Sequence, residues 1–114
     1  MEIIEQAYQV QYNQDTETVT LAGTLELAGV PEYAPIADLL DQIAERTPPQ
    51  ITLDVRELEF VNSSGITTLL QFAIKLRNLK TSKLVVLGRS AYTWQTKSLR
   101  NIQRFLKDSE LIFE

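Results

Sequence analysis

The chain contains no cysteine and no histidine. Lack of cysteine excludes disulfides, thiolate metal sites and cysteine nucleophiles. Lack of histidine removes the commonest metal ligand and the usual general base near neutral pH. A Ser-His-Asp triad is therefore impossible. Glycine is scarce, with 4 residues spread along the chain. Neither a phosphate loop ending in Gly-Lys-Ser/Thr nor a G-x-G-x-x-G run occurs, so no phosphate-cradling loop is visible. No apolar run approaches the roughly 20 residues that cross a bilayer. The stretch Met1 to Val10 is acidic and lacks a basic n-region, so no secretory signal is expected. These absences lead to the expectation of a cytoplasmic protein with no membrane insertion, no cofactor and no metal.

The 114 residues suffice for one domain with one hydrophobic core, spanning 1–114. A hydrophobic fraction of 44% and a charged fraction of 23% are ordinary for a globular protein. The net charge of −4 argues against nucleic acid as a partner. Charge is unevenly placed. Residues 1–62 carry 12 acids and 2 bases, a balance of −10, while residues 63–114 carry 3 acids and 9 bases, a balance of +6. Such runs mostly lie on solvated faces; the alternative is a polarised surface that steers a partner.

Residues 7–12 alternate apolar and polar, and 18–27 do so again with Val19, Leu21, Gly23, Leu25 and Leu27 on one face. With Asn13-Gln14-Asp15 between them, they predict a hairpin. Gly29-Val30-Pro31 is expected to end the second strand. Ile36, Leu39, Leu40 and Ile43 predict a helix over 32–46, stopped by Thr47-Pro48-Pro49. Ile51–Val55 reads as a strand followed by a short charged segment. Phe60 and Val61 are expected to point inward. A helix follows to about Asn78, then a strand over 83–87. The last helix spans 92–107, with Leu99, Ile102, Phe105 and Leu106 as its buried stripe, before a short strand over 110–113. The order β-β-α-β-α-β-α-β implies parallel pairing with right-handed crossovers.

The junction Asn62-Ser63-Ser64-Gly65 delivers two hydroxyls to the start of a helix. Ser63 half-resembles a nucleophile elbow, because Gly65 lies two residues on, but Val61 occupies the place of the preceding glycine. Lys75 lies about 16 Å along the helix, too far to serve as a base. Catalysis is therefore not expected. Glu57 and Glu59 offer an acid pair for a divalent ion but read first as exposed loop residues, and Tyr92 and Trp94 are partner-site candidates that read first as core or as a staple at the helix entrance. The plain role of the turn is a cap, with Ser63 or Ser64 satisfying first-turn amides. A phosphate here would add about −1.5 to −2 charges. The helix end tolerates that charge, whereas a partner pressed on the same spot would not.

The chain resembles the STAS domains, specifically the stand-alone anti-sigma factor antagonists of bacteria. Val19-Thr20-Leu21-Ala22-Gly23-Thr24-Leu25 is similar to the family's second strand and Ile51-Thr52-Leu53-Asp54-Val55 to its central strand. Phe60-Val61-Asn62-Ser63-Ser64-Gly65-Ile66 resembles its signature turn, and Lys83–Leu87 and the 92–107 helix fall where its next strand and last helix lie. The resemblance implies an α/β fold, a single STAS-like domain with a mostly parallel βα superhelical sheet and an extra N-terminal strand. It also implies partner switching without catalysis. The unmodified protein binds an anti-sigma factor, a serine kinase of the histidine-kinase-like ATPase type. That kinase phosphorylates Ser64 (Ser63 is the second choice) and is thereby released, and a metal-dependent serine phosphatase resets the switch. The expected footprint is Asn62, Ser63, Ser64, Gly65, Ile66, Thr67 and Thr68, with Thr67 and Thr68 facing solvent. Asn62 departs from the family's usual Asp. The alternative is a non-phosphorylated STAS scaffold in a transport or sensory complex, whose turn only caps the helix.

Overall fold

A computed structural model describes all residues, 1–114. Six strands form one sheet in the order β1 (Glu2–Ile4), β2 (Tyr8–Asn13), β3 (Thr18–Leu25), β4 (Gln50–Val61), β5 (Lys83–Gly88), β6 (Glu110–Phe113). The first two pairings are antiparallel and the last three parallel. The parallel connections run through α1 (Gly29–Glu45), α2 (Ser63–Leu79) and α3 (Thr93–Phe105). Helix α2 packs between α1 and α3. Apolar positions on alternate strand residues (Val10, Val19, Leu21, Leu53) are buried, whereas Thr18, Thr20, Thr52 and Asp54 between them are partly exposed. The core thus lies between the helices and one sheet face, as period-2 patterning requires. No helix is long and apolar enough to cross a membrane.

The expected elements are present, with five differences. Strand β1 is additional; it pairs Ile3 with Val10 at the sheet edge. Helix α1 starts at Gly29, so Gly29-Val30-Pro31 forms its first turn and the strand before it ends at Leu25. Pro31 is tolerated because first-turn amides have no intrahelical acceptor. Glu32 reaches back to accept from the Ala28 amide at 2.7 Å. Strand β4 continues through the charged segment to Val61, so Glu57 and Glu59 lie on a strand rather than a loop. Phe60 is exposed, while Val61 points inward as expected. Helix α3 ends at Phe105, which is exposed; of the expected stripe only Leu99 and Ile102 are fully buried.

The second half of β4 is held in an unusual way. Its pairing with β5 stops at Asp54, and two register shifts against β3 bend it. Such bulges re-aim a strand end. Side chains replace the missing neighbour. Gln95, fully buried at the start of α3, donates to the Val55 and Leu58 carbonyls at 2.7 and 3.1 Å. Its Oε1 accepts from the Arg89 amide at 2.6 Å. The Trp94 indole N–H donates to the Leu58 carbonyl at 3.0 Å, and Arg89 Nε to the Arg56 carbonyl at 2.9 Å. The strand end that carries the serine turn is therefore fixed without a second strand beside it.

On the open sheet face, Arg56 pairs with Asp54 at 2.8 Å and with Glu114 at 3.2 Å. Burial alone would push the Asp54 carboxyl up. The Arg56 guanidinium and amide outweigh that and hold it below its ordinary value.

Candidate functional site

Asn62 ends β4 in an extended conformation (φ −82°, ψ 177°) and caps α2. Its Oδ1 accepts from the Gly65 amide at 3.1 Å, so Asn62, not Ser63 or Ser64, provides the cap. Both serines lie inside the first turn of the helix. The same Oδ1 accepts from the Tyr33 hydroxyl at 2.6 Å, and Asn62 Nδ2 donates to the Leu27 carbonyl at 2.9 Å. One amide thus joins α2, α1 and the segment that follows β3. Burial pushes the Tyr33 hydroxyl above its ordinary pKa, although the Leu27 amide acts the other way. Tyr33 stays a neutral donor at any physiological pH.

This geometry accounts for asparagine at the position. A carboxylate could accept from Tyr33 and Gly65 but could not donate to Leu27. Asn62→Asp should place a charge against that carbonyl and lower stability by about 1–3 kcal/mol, as for other buried groups left unpaired. Chemical denaturation of the two proteins checks this.

Gly65 is buried against the same group. A Cβ there would sit 2.3 Å from Val61 Cγ2 and 2.7 Å from Tyr33 Oη. The glycine serves close approach, since its backbone does not adopt positive φ. Immediately before it, Ser63 is exposed and Ser64 half-buried. Neither hydroxyl is engaged by another group of the chain, and the Ser63 and Ser64 amides have no backbone acceptor. Helix α2 has no acidic residue in its first turn. The site thus offers two free amides at the positive end of a helix dipole beside a free hydroxyl.

Ser64 also lines a groove of about 390 Å³ between α1 and α2, with Val30, Ala34, Ala37, Asp38 and Thr67. Val30 is 79% exposed. Thr67 is exposed as expected, but Thr68 is buried and donates to the Ser64 carbonyl at 3.0 Å. Periodicity explains this correction: Thr68 shares the buried stripe of Leu69 and Phe72. Ile66 is half-buried against the core. Asn62 and Gly65 shape the turn from within, while Ser63 and Thr67 are exposed and Ser64 is half-buried.

A second cleft of about 360 Å³ begins two residues upstream and is lined by Phe60, Tyr92, Trp94 and Lys97. Trp94 is half-buried and packs on the core, in line with its structural expectation. Lys75 pairs with Glu45 at 2.9 Å, and these contacts raise its pKa. Arg89 Nη2 engages Glu57 at 2.6 Å. Tyr33, Val30 and Gln95 were not legible as contributors to the site. Tyr33 reads as an ordinary helix residue, Val30 as part of the break that ends the strand, and no pattern marks a buried glutamine.

The fold belongs to the STAS-like class, as the sequence resemblance implies. No protein-family model matches the chain, and no curated protein sequence matches it. Solved structures do. An anti-sigma factor antagonist from Mycobacterium paratuberculosis aligns with 18% identity and a TM-score of 0.69, covering 96% of this chain and 88% of its own. A chain of the complex between the diguanylate cyclase SiaD and its activator SiaC from Pseudomonas aeruginosa aligns with 11% identity and a TM-score of 0.71, covering 99% and 97%. SiaC of Pseudomonas aeruginosa aligns with 14% identity and a TM-score of 0.61, covering 99% and 93%. At these identities the likeness is one of fold.

Proposed function

We propose that this chain is a partner-switching regulator of the anti-sigma factor antagonist type, active in the cytoplasm, with no catalytic activity of its own. The partner docks on the Ser63–Thr67 surface and the groove between α1 and α2. It is an anti-sigma factor with serine kinase activity of the histidine-kinase-like ATPase type. Transfer of a phosphate to Ser64 releases it, and a metal-dependent phosphatase restores the hydroxyl. The observation that carries this reading is the half-buried Ser64 hydroxyl at the groove mouth, beside two amides without a backbone acceptor. An added dianion gains those donors, while a docked partner surface meets it in a desolvated contact. Ser63 is more exposed but does not line the groove.

A second reading is a docking scaffold or activator that is never phosphorylated. It is favoured by the Asn62 network, which explains the turn by folding alone, and by the shared fold with SiaC, named as an activator in its complex. Incubation with the kinase that the chain captures and labelled ATP separates the two. The switch predicts label on Ser64, lost in Ser64→Ala and retained in Ser63→Ala. Absence of label with a captured, ATP-competent partner supports the scaffold.

A further inference from the structure

The largest cleft lies at the opposite end of α2 from the serine turn. It measures about 860 Å³ and opens between the last turns of α2 and α3 and the start of β5. A 17-residue helix is about 25 Å long, so this cleft and Ser64 are separate places. Its floor is apolar. Leu76 and Leu84 are buried, Leu106 is half-buried, and the Phe105 ring is exposed at its edge. Its lining carries five cations; Lys83 is paired with Glu110, while the four at the rim, Arg77, Lys80, Arg104 and Lys107, form no ion pair. By contrast, Arg56, Lys75, Lys83 and Arg89 all have carboxylate partners.

Helix ends account for only part of this charge. Each C-terminus is equivalent to about −0.5 charge, so the two together balance about one cation. Asp108 lines the cleft and balances another. Roughly two positive charges are left over from the four rim cations. They surround apolar surface, and the pattern calls for an anionic ligand with an apolar part.

We propose that this cleft binds a short acidic segment of a partner protein. Its carboxylates meet the rim cations, and an apolar side chain packs on Phe105 and Leu106. The helix ends favour a peptide over a phosphate compound. The final carbonyls, Arg77 to Leu79 on α2 and Gln103 to Phe105 on α3, accept no backbone hydrogen bond in the chain. A peptide supplies N–H donors to such carbonyls, whereas a phosphate dianion supplies none and is repelled by them. Separate carboxylates also match cations distributed around a rim better than one concentrated charge does.

The site stands independently of the serine turn. Its probe is a short fluorescein-labelled peptide in which glutamates flank two leucines, followed by fluorescence anisotropy at low salt. Wild type and Ser64→Glu should bind it equally. The double variant Arg104→Glu/Lys107→Glu changes two exposed side chains and should bind at least about tenfold more weakly. Its circular dichroism and Tm report whether the fold is intact. If that pair perturbs folding, Arg77→Glu/Lys80→Glu serves in its place. Replacing the leucines by serines should weaken binding similarly. Equal affinity of the charge-reversed variants overturns the proposal. Equal affinity of the serine peptide reduces the cleft to a non-specific cationic surface and also overturns it. Displacement of the peptide by ATP assigns the cleft to phosphate compounds instead.

Discussion

Gly65→Ala should lower stability by about 3 kcal/mol, with a Tm lower by roughly 10 °C for a chain of this size. The added methyl would meet Val61 Cγ2 at 2.3 Å and Tyr33 Oη at 2.7 Å, closer than real Cβ contacts allow. Val61 is buried in the strand end, and Tyr33 is held by hydrogen bonds at its hydroxyl. Neither is a free side-chain end that can swing away. Overpacking of this kind costs about 1–3 kcal/mol, and displacement of Tyr33 adds the loss of its bond to Asn62, about another 1 kcal/mol. Gly29→Ala is the internal comparison. Gly29 has a φ of +70°, but its nearest neighbour to a built Cβ is Pro31 Cδ at 3.9 Å, so its cost is backbone strain alone. Differential scanning calorimetry of the two variants checks the account. A Gly65→Ala protein melting within about 2 °C of wild type would mean that the turn is loosely packed.

A phosphate on Ser64, or the Ser64→Glu mimic in weaker form, should leave the domain folded and cost the partner complex about 3–4 kcal/mol, several hundred-fold in affinity. The two effects separate because the same group meets two different environments. Within the chain the phosphate meets the free amides of Ser63 and Ser64 and the positive end of α2, with no carboxylate in that helix's first turn. Asp38, on the far wall of the groove, is the nearby like charge that lines it. A partner that buries the groove must strip water from the dianion and pair it, or leave it unpaired in a desolvated contact. The unfolding midpoint therefore moves little while binding collapses, the reverse of the Gly65→Ala result.

Much of the scaffold is legible in the sequence because period-2 and period-3.6 patterns are strong where one face is buried. Strand β3, the start of β4, helix α2 and strand β5 are of this kind. Where the structure differs, a local rule is overridden. Strand β1 is only three residues long, too short to show alternation. The charged stretch after Val55 has weak strand propensity, yet Gln95, Trp94 and Arg89 hydrogen-bond its carbonyls from the side. Pro31 marks a break in general but is neutral in a first helical turn. The strand-to-helix junction at Asn62 lies where the sequence places it, but its inner logic is not legible there. Three consecutive capping residues leave the cap position open, and only tertiary contacts to Tyr33 and Leu27 assign it to Asn62. Those contacts account for the amide at this position, because a residue that must both donate and accept is better served by Asn than by a carboxylate.

The most direct test is a calorimetric titration of the captured regulator against unmodified protein and against protein stoichiometrically phosphorylated on Ser64. The switch predicts tight binding by the first and a several-hundred-fold loss in the second, with near-equal melting temperatures. Equal affinities for the two forms would contradict it and leave Asn62-Ser63-Ser64-Gly65 as a helix cap on a constitutive docking surface.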